Sequence, residues 1–250
     1  MTLKLEEMSW LEIHESIEQG NDTVLILLGS IEQHGPHLPI NTDTLIAEEL
    51  GVRTAKKLGD ALVAPIIRPG CSRHHMDFAG TVSLQDNVFK EVVKAHCVAY
   101  EKHGFKNIVL LPYHGGNFDP IEEVEPEIKY ELNDSNLIVI ANLEKSLDLM
   151  NDGMKKAGLD LVEPVIHAGA SESSVLMAID EDLVNKDNIE KGYIGDIPVA
   201  NLFARGLKSF TKNGVLGDPT KANKKAGELI LESMSDWYVE QIQEKLVINK

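Results

Sequence analysis

Four short apolar runs, at residues 24–28, 62–67, 108–111 and 137–140, stand out from a chain that otherwise mixes polar and apolar positions. Runs this short, continuous and rich in Val, Ile and Leu predict strands buried on both faces of a parallel sheet. Helical patterns lie between them. Ser9 followed three residues later by Glu12 predicts a capping box opening a first helix. Residues 43–58 carry Ile46, Leu50 and Leu58 on roughly one side. Residues 86–103 place Val88, Val92, Ala95 and Ala99 at steps of four, three and four, which predicts a buried helical stripe. A last helix is predicted to start near Pro219, capped by Asp218, and to repeat Ala226, Ile230, Met234 and Trp237. Strands alternating with helices imply a three-layer α/β/α architecture with a largely parallel central sheet, built as one domain over residues 1–250. The stretch 180–217, rich in Gly, Asn and Asp, predicts loops and short elements, with an edge hairpin or a subunit contact as options.

Charge and cysteine usage narrow the picture. Against 24 Lys and Arg stand 40 Asp and Glu, a formal net charge of −16. That balance repels phosphate backbones and anionic membranes, so neither nucleic acid nor membrane is expected as a partner. Cys71 and Cys97 form no CxxC pair and are expected to be free thiols in a reducing compartment. No apolar run approaches the roughly 18 residues that span a bilayer. A cytoplasmic location is the expectation.

Six of the nine histidines fall in four segments that follow or adjoin a predicted strand or open a helix. In GSIEQHGPHLPINTD (29–43), Glu32, His34, His37 and Asp43 lie within twelve residues. Glu32 and His34 are two apart, so in an extended segment they point the same way. Pro36 and Pro39 restrict the backbone between them and a following helix, whose N-terminal dipole favours the Asp43 carboxylate. Carboxylates and imidazoles on a stiff loop at the end of a strand suit a mixed oxygen and nitrogen metal site. In LPYHGGNFD (111–119), His114 again follows a strand. Gly115 and Gly116 allow close backbone approach or positive φ, and Asn117 suits a helix cap or a hydrogen bond to substrate. HAGASES (167–173) offers His167 and Glu172 as an acid/base pair near the metal, with a structural role for His167 as the alternative. GCSRHHMDFAGTVSL (70–84) offers Ser72, Arg73, His74 and His75 as pocket-lining groups or as a solvated loop.

In this order and spacing, GSIEQHGPHLPINTD, SRHHMDFAGTVSL, HGGN, HAGASES and GVLGDP (214–219) resemble the motifs of the creatininase (creatinine amidohydrolase) family over nearly the whole chain. The resemblance implies an α/β/α hydrolase that is commonly a homo-oligomer, with a hexamer favoured. It also implies two divalent ions per subunit, Zn2+ or Mn2+ with Fe2+ as an option. Carried over, Glu32 and His114 bind one ion, His34 the other, and Asp43 bridges them. His167 becomes the proton-transfer residue and Glu172 an active-site carboxylate. His37, Ser72, His75, Gly115, Gly116 and Asn117 become candidates for substrate binding. Creatininase itself carries a tyrosine and a metal-binding glutamate where Gly115 and Gly116 stand here, and closes its site with tryptophans before the HAG segment. Here only Trp10 and Trp237 exist, far from that segment, so creatinine is not the expected substrate. The expectation is hydrolysis of a non-peptide C–N bond in a small cyclic amide or formamide. Ring opening of a ketocyclitol on the same centre is the alternative, and a silent, metal-stabilised scaffold a third option.

Overall fold

The computed structural model describes residues 2–163, 166–195 and 197–248. Strands β1 (Thr23–Leu28), β2 (Ala61–Val63), β3 (Asn107–Pro112) and β4 (Asn136–Val139) form one parallel sheet in the order β2-β1-β3-β4. The alternation along β1 explains why the strand reads as a continuous apolar run. Val24, Ile26 and Leu28 belong to a core shared with helices α3 (Asp86–Lys102) and α4 (Phe118–Glu131). Leu25 and Leu27 belong to a second core, shared with α2 (Thr42–Leu58), α5 (Leu143–Lys156), α6 (Ala170–Ile179) and α8 (Lys224–Ile248). Both faces of the strand are therefore covered, and the three-layer α/β/α architecture follows.

The strand order has a functional consequence. From β1 the chain moves outward to β2, then crosses back to place β3 on the opposite side of β1. Loops leaving β1 and β3 diverge there and open a crevice beyond the strands' carboxyl ends. Both of the first two histidine-bearing segments leave the sheet at this point.

Local sequence accounts for several boundaries. The predicted capping box opens α1 (Trp10–Glu18), with Ser9 and Glu12 bonded reciprocally. The predicted strand at 62–67 is shorter than expected: β2 stops at Val63, the Ala64 N–H makes a last bond to the Leu25 carbonyl at 2.9 Å, and the chain returns at Ile67, whose N–H reaches the Leu27 carbonyl at 3.1 Å. Pro65 lies between these points and has no N–H to offer a ladder. The stripe predicted for α3 is rotated. Phe89, Val93 and Cys97 are buried, while Val88 is 43% exposed and Ala95 faces outward. Burying the ring of Phe89 removes more apolar surface than burying Val88. The last helix begins at Lys224 rather than Pro219. Asp218 caps only a short 3-10 turn (Pro219–Lys221), and the Asn223 side chain accepts the Lys225 N–H at 2.9 Å. Ala226, Ile230, Met234 and Trp237 are buried as expected.

Within 180–217 the structure has short turns and α7 (Val199–Arg205), and no hairpin among the described residues. Leu216 instead bridges to His167 and to Tyr193. Among the described residues, no helix is long and apolar enough to cross a membrane.

Candidate metal centre

The crevice beyond β1 and β3 contains a cavity of about 100 Å3. Glu32, Asp43, His114, His167 and Glu172 line it, together with His74, His75, Tyr113 and Gly115. All six histidines singled out in the sequence are buried.

Asp43 sits in the first turn of α2 and accepts a hydrogen bond from Ser30 Oγ at 2.5 Å. Its Oδ1 lies 3.3 Å from His34 Nε2, and its Oδ2 lies 3.2 Å from His114 Nδ1. The rings are oriented by backbone carbonyls, which only accept. His34 Nδ1 donates to the Glu32 carbonyl at 3.1 Å, and His114 Nε2 lies 3.2 Å from the Cys71 carbonyl. His34 Nε2 then turns its lone pair toward Asp43, and His114 faces carboxylates on both sides, Asp43 from Nδ1 and Glu32 Oε2 at 3.3 Å from Nε2, an arrangement that calls for a positive charge between them. His34 Nε2 and Glu32 Oε2 are buried without a hydrogen-bond partner among the described residues.

The electrostatics agree. Burial alone would push the His34 imidazole down, but the negative charge of Asp43, followed by Glu172 and Glu32, holds it up at about 10. His114 is likewise raised well above its ordinary range, because Glu32 and Asp43 outweigh burial. Asp43 is held well below the usual carboxylate range: burial opposes its charge, but His34 and His114 prevail.

Three sets of ligand atoms each lie within 4.8 Å of one another: Glu32, Asp43 and His114; His34, Asp43 and Glu172; and Glu32, His34 and His167. The first two share Asp43. Carboxylate oxygens and imidazole nitrogens are the donors that Zn2+ and Mn2+ accept. Orphaned donor atoms and a shared carboxylate together fit divalent-cation binding.

Glu172 enters from the first turn of α6 and accepts the Ala168 N–H at 2.6 Å. Ala168 adopts φ 53°, a left-handed conformation unusual for a residue with a Cβ. Burial, with Asp43 and Glu32 adding to it against His34, pushes the Glu172 carboxyl up to about 7.

The opposite side of the centre is organised by Gln33, an uncharged residue that nothing in the local sequence marks. Its side-chain nitrogen lies 2.8 Å from His167 Nε2, 3.1 Å from His75 Nδ1 and 3.1 Å from the Gly214 carbonyl, while its Oε1 accepts the Gly35 N–H at 2.9 Å. Gly214 has φ 80°, and a Cβ there would stand 1.9 Å from Gln33 Oε1, so a side chain would be strained and would displace the amide. His75 Nε2 lies 3.4 Å and His167 Nδ1 3.7 Å from Glu32 Oε1. Burial, then neighbouring imidazoles, holds His75 and His167 well below the ordinary histidine range and His74 at about 3.

Of the residues expected to bind substrate, His75 and Gly115 line the cavity, and a Cβ on Gly115 would meet nothing within 4 Å. The others do not line it. His37 Nε2 pairs with Ser173 Oγ at 2.9 Å, and burial first, then the charge of His34, pushes its imidazole down to about 4. Ser72 Oγ lies 3.2 Å from His114 Nε2. Asn117 caps no helix with its side chain. It accepts the Cys71 N–H at 3.0 Å and donates to the carbonyls of Leu28 and Gly29, tying three loops together. Gly116 has no positive φ, but a Cβ there would come within 2.0 Å of the Cys71 carbonyl oxygen, so close backbone approach is its role. Tyr113 also borders the cavity; its hydroxyl is buried and has no partner among the described residues. An alternation that reads simply as "end of strand" gives no sign of it.

Comparison with known proteins places this geometry. The family model described as creatinine amidohydrolase matches residues 6–242. A mycofactocin precursor peptide peptidase of Mycolicibacterium smegmatis is 31% identical over 232 residues, covering 88% of this chain and 84% of that protein. The creatinine amidohydrolase of Pseudomonas putida is 26% identical over 255 residues, covering 96% and 95%. A solved creatininase designated Mn superposes with a TM-score of 0.81 at 26% identity, covering 98% of this chain and 99% of that one.

Proposed function

The chain belongs to the creatininase family of hydrolases, and we propose that it hydrolyses an amide C–N bond using two divalent cations that share Asp43. One observation carries this reading. Two ligand sets meet at Asp43, and the atoms facing the gap, Glu32 Oε2 and His34 Nε2, are buried with no partner among the described residues.

Glu32 and His114 would hold one ion and His34 the other, with Glu172 completing the second set from its place opposite Asp43. Zinc and manganese suit these donors, and solved creatininases of 26% identity are designated Mn and Zn–Zn type. Bound there, such a pair lowers the pKa of a coordinated water toward 7 and polarises the carbonyl under attack. The remaining work falls to protein groups. His167 Nε2 has both an amide donor, Gln33 Nε2 at 2.8 Å, and a carbonyl acceptor, Gln33 O at 2.9 Å. The donor suits a bare Nε2 and the acceptor an Nε2–H, so either tautomer of the neutral ring is accommodated, and His167, at the edge of the ligand sets, is the group we assign to deliver a proton to the leaving nitrogen.

The cavity reaches Glu32, Asp43, His114 and Glu172, so the centre is not closed by protein as a structural site would be. This favours catalysis over a silent scaffold. Relatives named for peptides, creatinine and formylamino-pyrimidine phosphates bracket the amide class. A relative named 3-dehydro-scyllo-inosose hydrolase, 30% identical over 113 residues, keeps ring opening at a ketone as the second reading. Small cyclic amides and formamides are the first substrates to assay, beside short peptides and a ketocyclitol panel.

Chelation should abolish hydrolysis, and Zn2+ or Mn2+ should restore it, with elemental analysis giving about two ions per chain. Full turnover in protein shown to be free of metal would overturn the proposal.

A further inference from the structure

The cavity has two chemically different ends. Around the carboxylates and imidazoles it is polar. Away from them its wall consists of Leu143, Leu147, Ile166, Leu202 and Phe203. Leu143 and Leu147 are one helical turn apart on α5 and so share a face, and Leu202 and Phe203 come from α7. The Phe203 ring packs against His74 with centroids 4.4 Å apart, fixing this wall to the edge of the polar end.

Among the described residues, no Lys or Arg lines the cavity. Cations near α7 point elsewhere: the Arg205 guanidinium lies over the Phe210 ring at 5.1 Å, Lys208 lies over Phe78 and donates to the Asp77 carbonyl, and Arg73, next to His74, lines a separate surface pocket with Met76 and Asp86. An anion placed against the leucine wall would lose hydration without gaining a counter-charge. One relative is named for a substrate that carries a 5'-monophosphate; the wall of this cavity holds no partner for such a group.

We propose that the substrate group flanking the scissile amide is neutral and apolar, seated against Leu143, Leu147, Leu202 and Phe203, and that substrates bearing a phosphate or carboxylate there are rejected. This rests on the amide-hydrolase reading above and extends it to a substrate class. Gly115 contributes by leaving open the space that a side chain would fill.

The test is calorimetric binding to the metal-loaded protein of three hydroxamates that share one chelating head: acetohydroxamate, pentanohydroxamate and the near-isosteric succinate monohydroxamate. Three added carbons against an apolar wall should tighten pentanohydroxamate over acetohydroxamate by about tenfold or more. Succinate monohydroxamate should bind no tighter than acetohydroxamate. In Leu147→Lys the order of the two longer ligands should reverse. If that variant fails to fold, Phe203→Ala should weaken pentanohydroxamate and leave acetohydroxamate unchanged. Succinate monohydroxamate binding as tightly as pentanohydroxamate in the unaltered protein would overturn this proposal alone. Failure of all three to bind protein shown to contain metal would overturn the metal-hydrolase reading, and this proposal with it.

Discussion

The two halves of the centre contain the same side chain under nearly the same burial, yet the electrostatics differ in sign. His34 and His114 face Asp43, Glu172 and Glu32, and are pushed upward. His75 and His167 meet one carboxylate oxygen, Glu32 Oε1 at 3.4 and 3.7 Å, but are otherwise surrounded by the Gln33 amide and other imidazoles, as is His74 by imidazoles, and all three are pushed downward. Burial acts in the same direction on all five, so the neighbours decide. A histidine whose free nitrogen points at carboxylates is prepared for a cation. One held neutral beside a matched donor and acceptor is prepared to carry a proton. The lesson is that ligand and proton carrier are told apart by what the second ring nitrogen and its surroundings offer, and not by depth.

The largest expected effect comes from removing the charge on which the cation side depends. Asp43→Asn keeps the shape and the Ser30 contact but removes the anion that the two proposed cations would share. Metal content should fall toward one ion or none. Turnover should drop on the order of 10³-fold or more, beyond what the loss of one oxyanion donor usually costs. Two ions per chain and normal rates in this variant would reduce Asp43 to a helix-terminus residue.

A paired experiment asks whether the two halves really differ. His34→Ala should lose metal and activity together. His167→Ala should keep its metal and lose about 10²–10⁴ in kcat, the usual worth of a positioned acid/base. The third ligand set, Glu32, His34 and His167, marks the competing outcome. If His167→Ala also sheds metal, His167 belongs with the ligands and the division between the halves fails.

Much of this site was legible in the sequence because its polar groups crowd into short segments at the ends of continuous apolar runs. Glu32, His34 and Asp43 lie within one such segment, and His114 follows another strand. Pairings made by the tertiary fold were not legible. That Glu172 stands across from Asp43 depends on α6 packing beside α2, and α6 gives little periodic signal because seven of its residues, Ala170 to Leu176, are buried on all sides. Gln33 is uncharged and sits inside a motif of stronger chemical groups, so nothing local marked it as the link between His75 and His167. The apolar wall on α5 and α7 was invisible for a different reason. Partly exposed leucines on a helix read the same whether they face solvent or a cavity. The rotated stripe of α3 shows the same ambiguity between adjacent faces of a helix.

A smaller effect sharpens the neutral class. His37 lies outside the cavity, bonded to Ser173, with its imidazole pushed from the ordinary value of about 6.5 down to about 4. A depressed folded-state value means that the neutral ring is favoured by folding. Its contribution to stability is therefore complete above about pH 6.5 and is lost as the pH falls toward 4. His37→Gln keeps a hydrogen-bonding group near Ser173 but cannot titrate. Denaturant unfolding between pH 7 and 4 should show a shallower loss of stability in the variant, with kcat at pH 7 little changed. Equal slopes would mean that His37 is hydrated and no part of the packed shell.

The smallest effect concerns Tyr113, whose ring borders both halves. Its hydroxyl is buried without a partner among the described residues, and burial first, then Glu172 and Asp43, keeps it a phenol by raising its pKa well above the ordinary value. A buried donor with nothing to bond to costs roughly 1–3 kcal/mol. Such a cost is tolerable where the group meets its partner only when substrate is present. Tyr113→Phe removes the oxygen and keeps the ring. The resting protein should gain about 1 kcal/mol, raising Tm by roughly 2–4 °C in a chain of this size. At the same time kcat/KM should fall by up to about tenfold, the worth of one neutral hydrogen bond. Metal content should stay the same. A higher Tm with unchanged kcat/KM would show the hydroxyl idle. A lower Tm would show that an ordered water already satisfies it, and Tyr113 would then be part of the fixed frame around His114 rather than a group waiting for substrate.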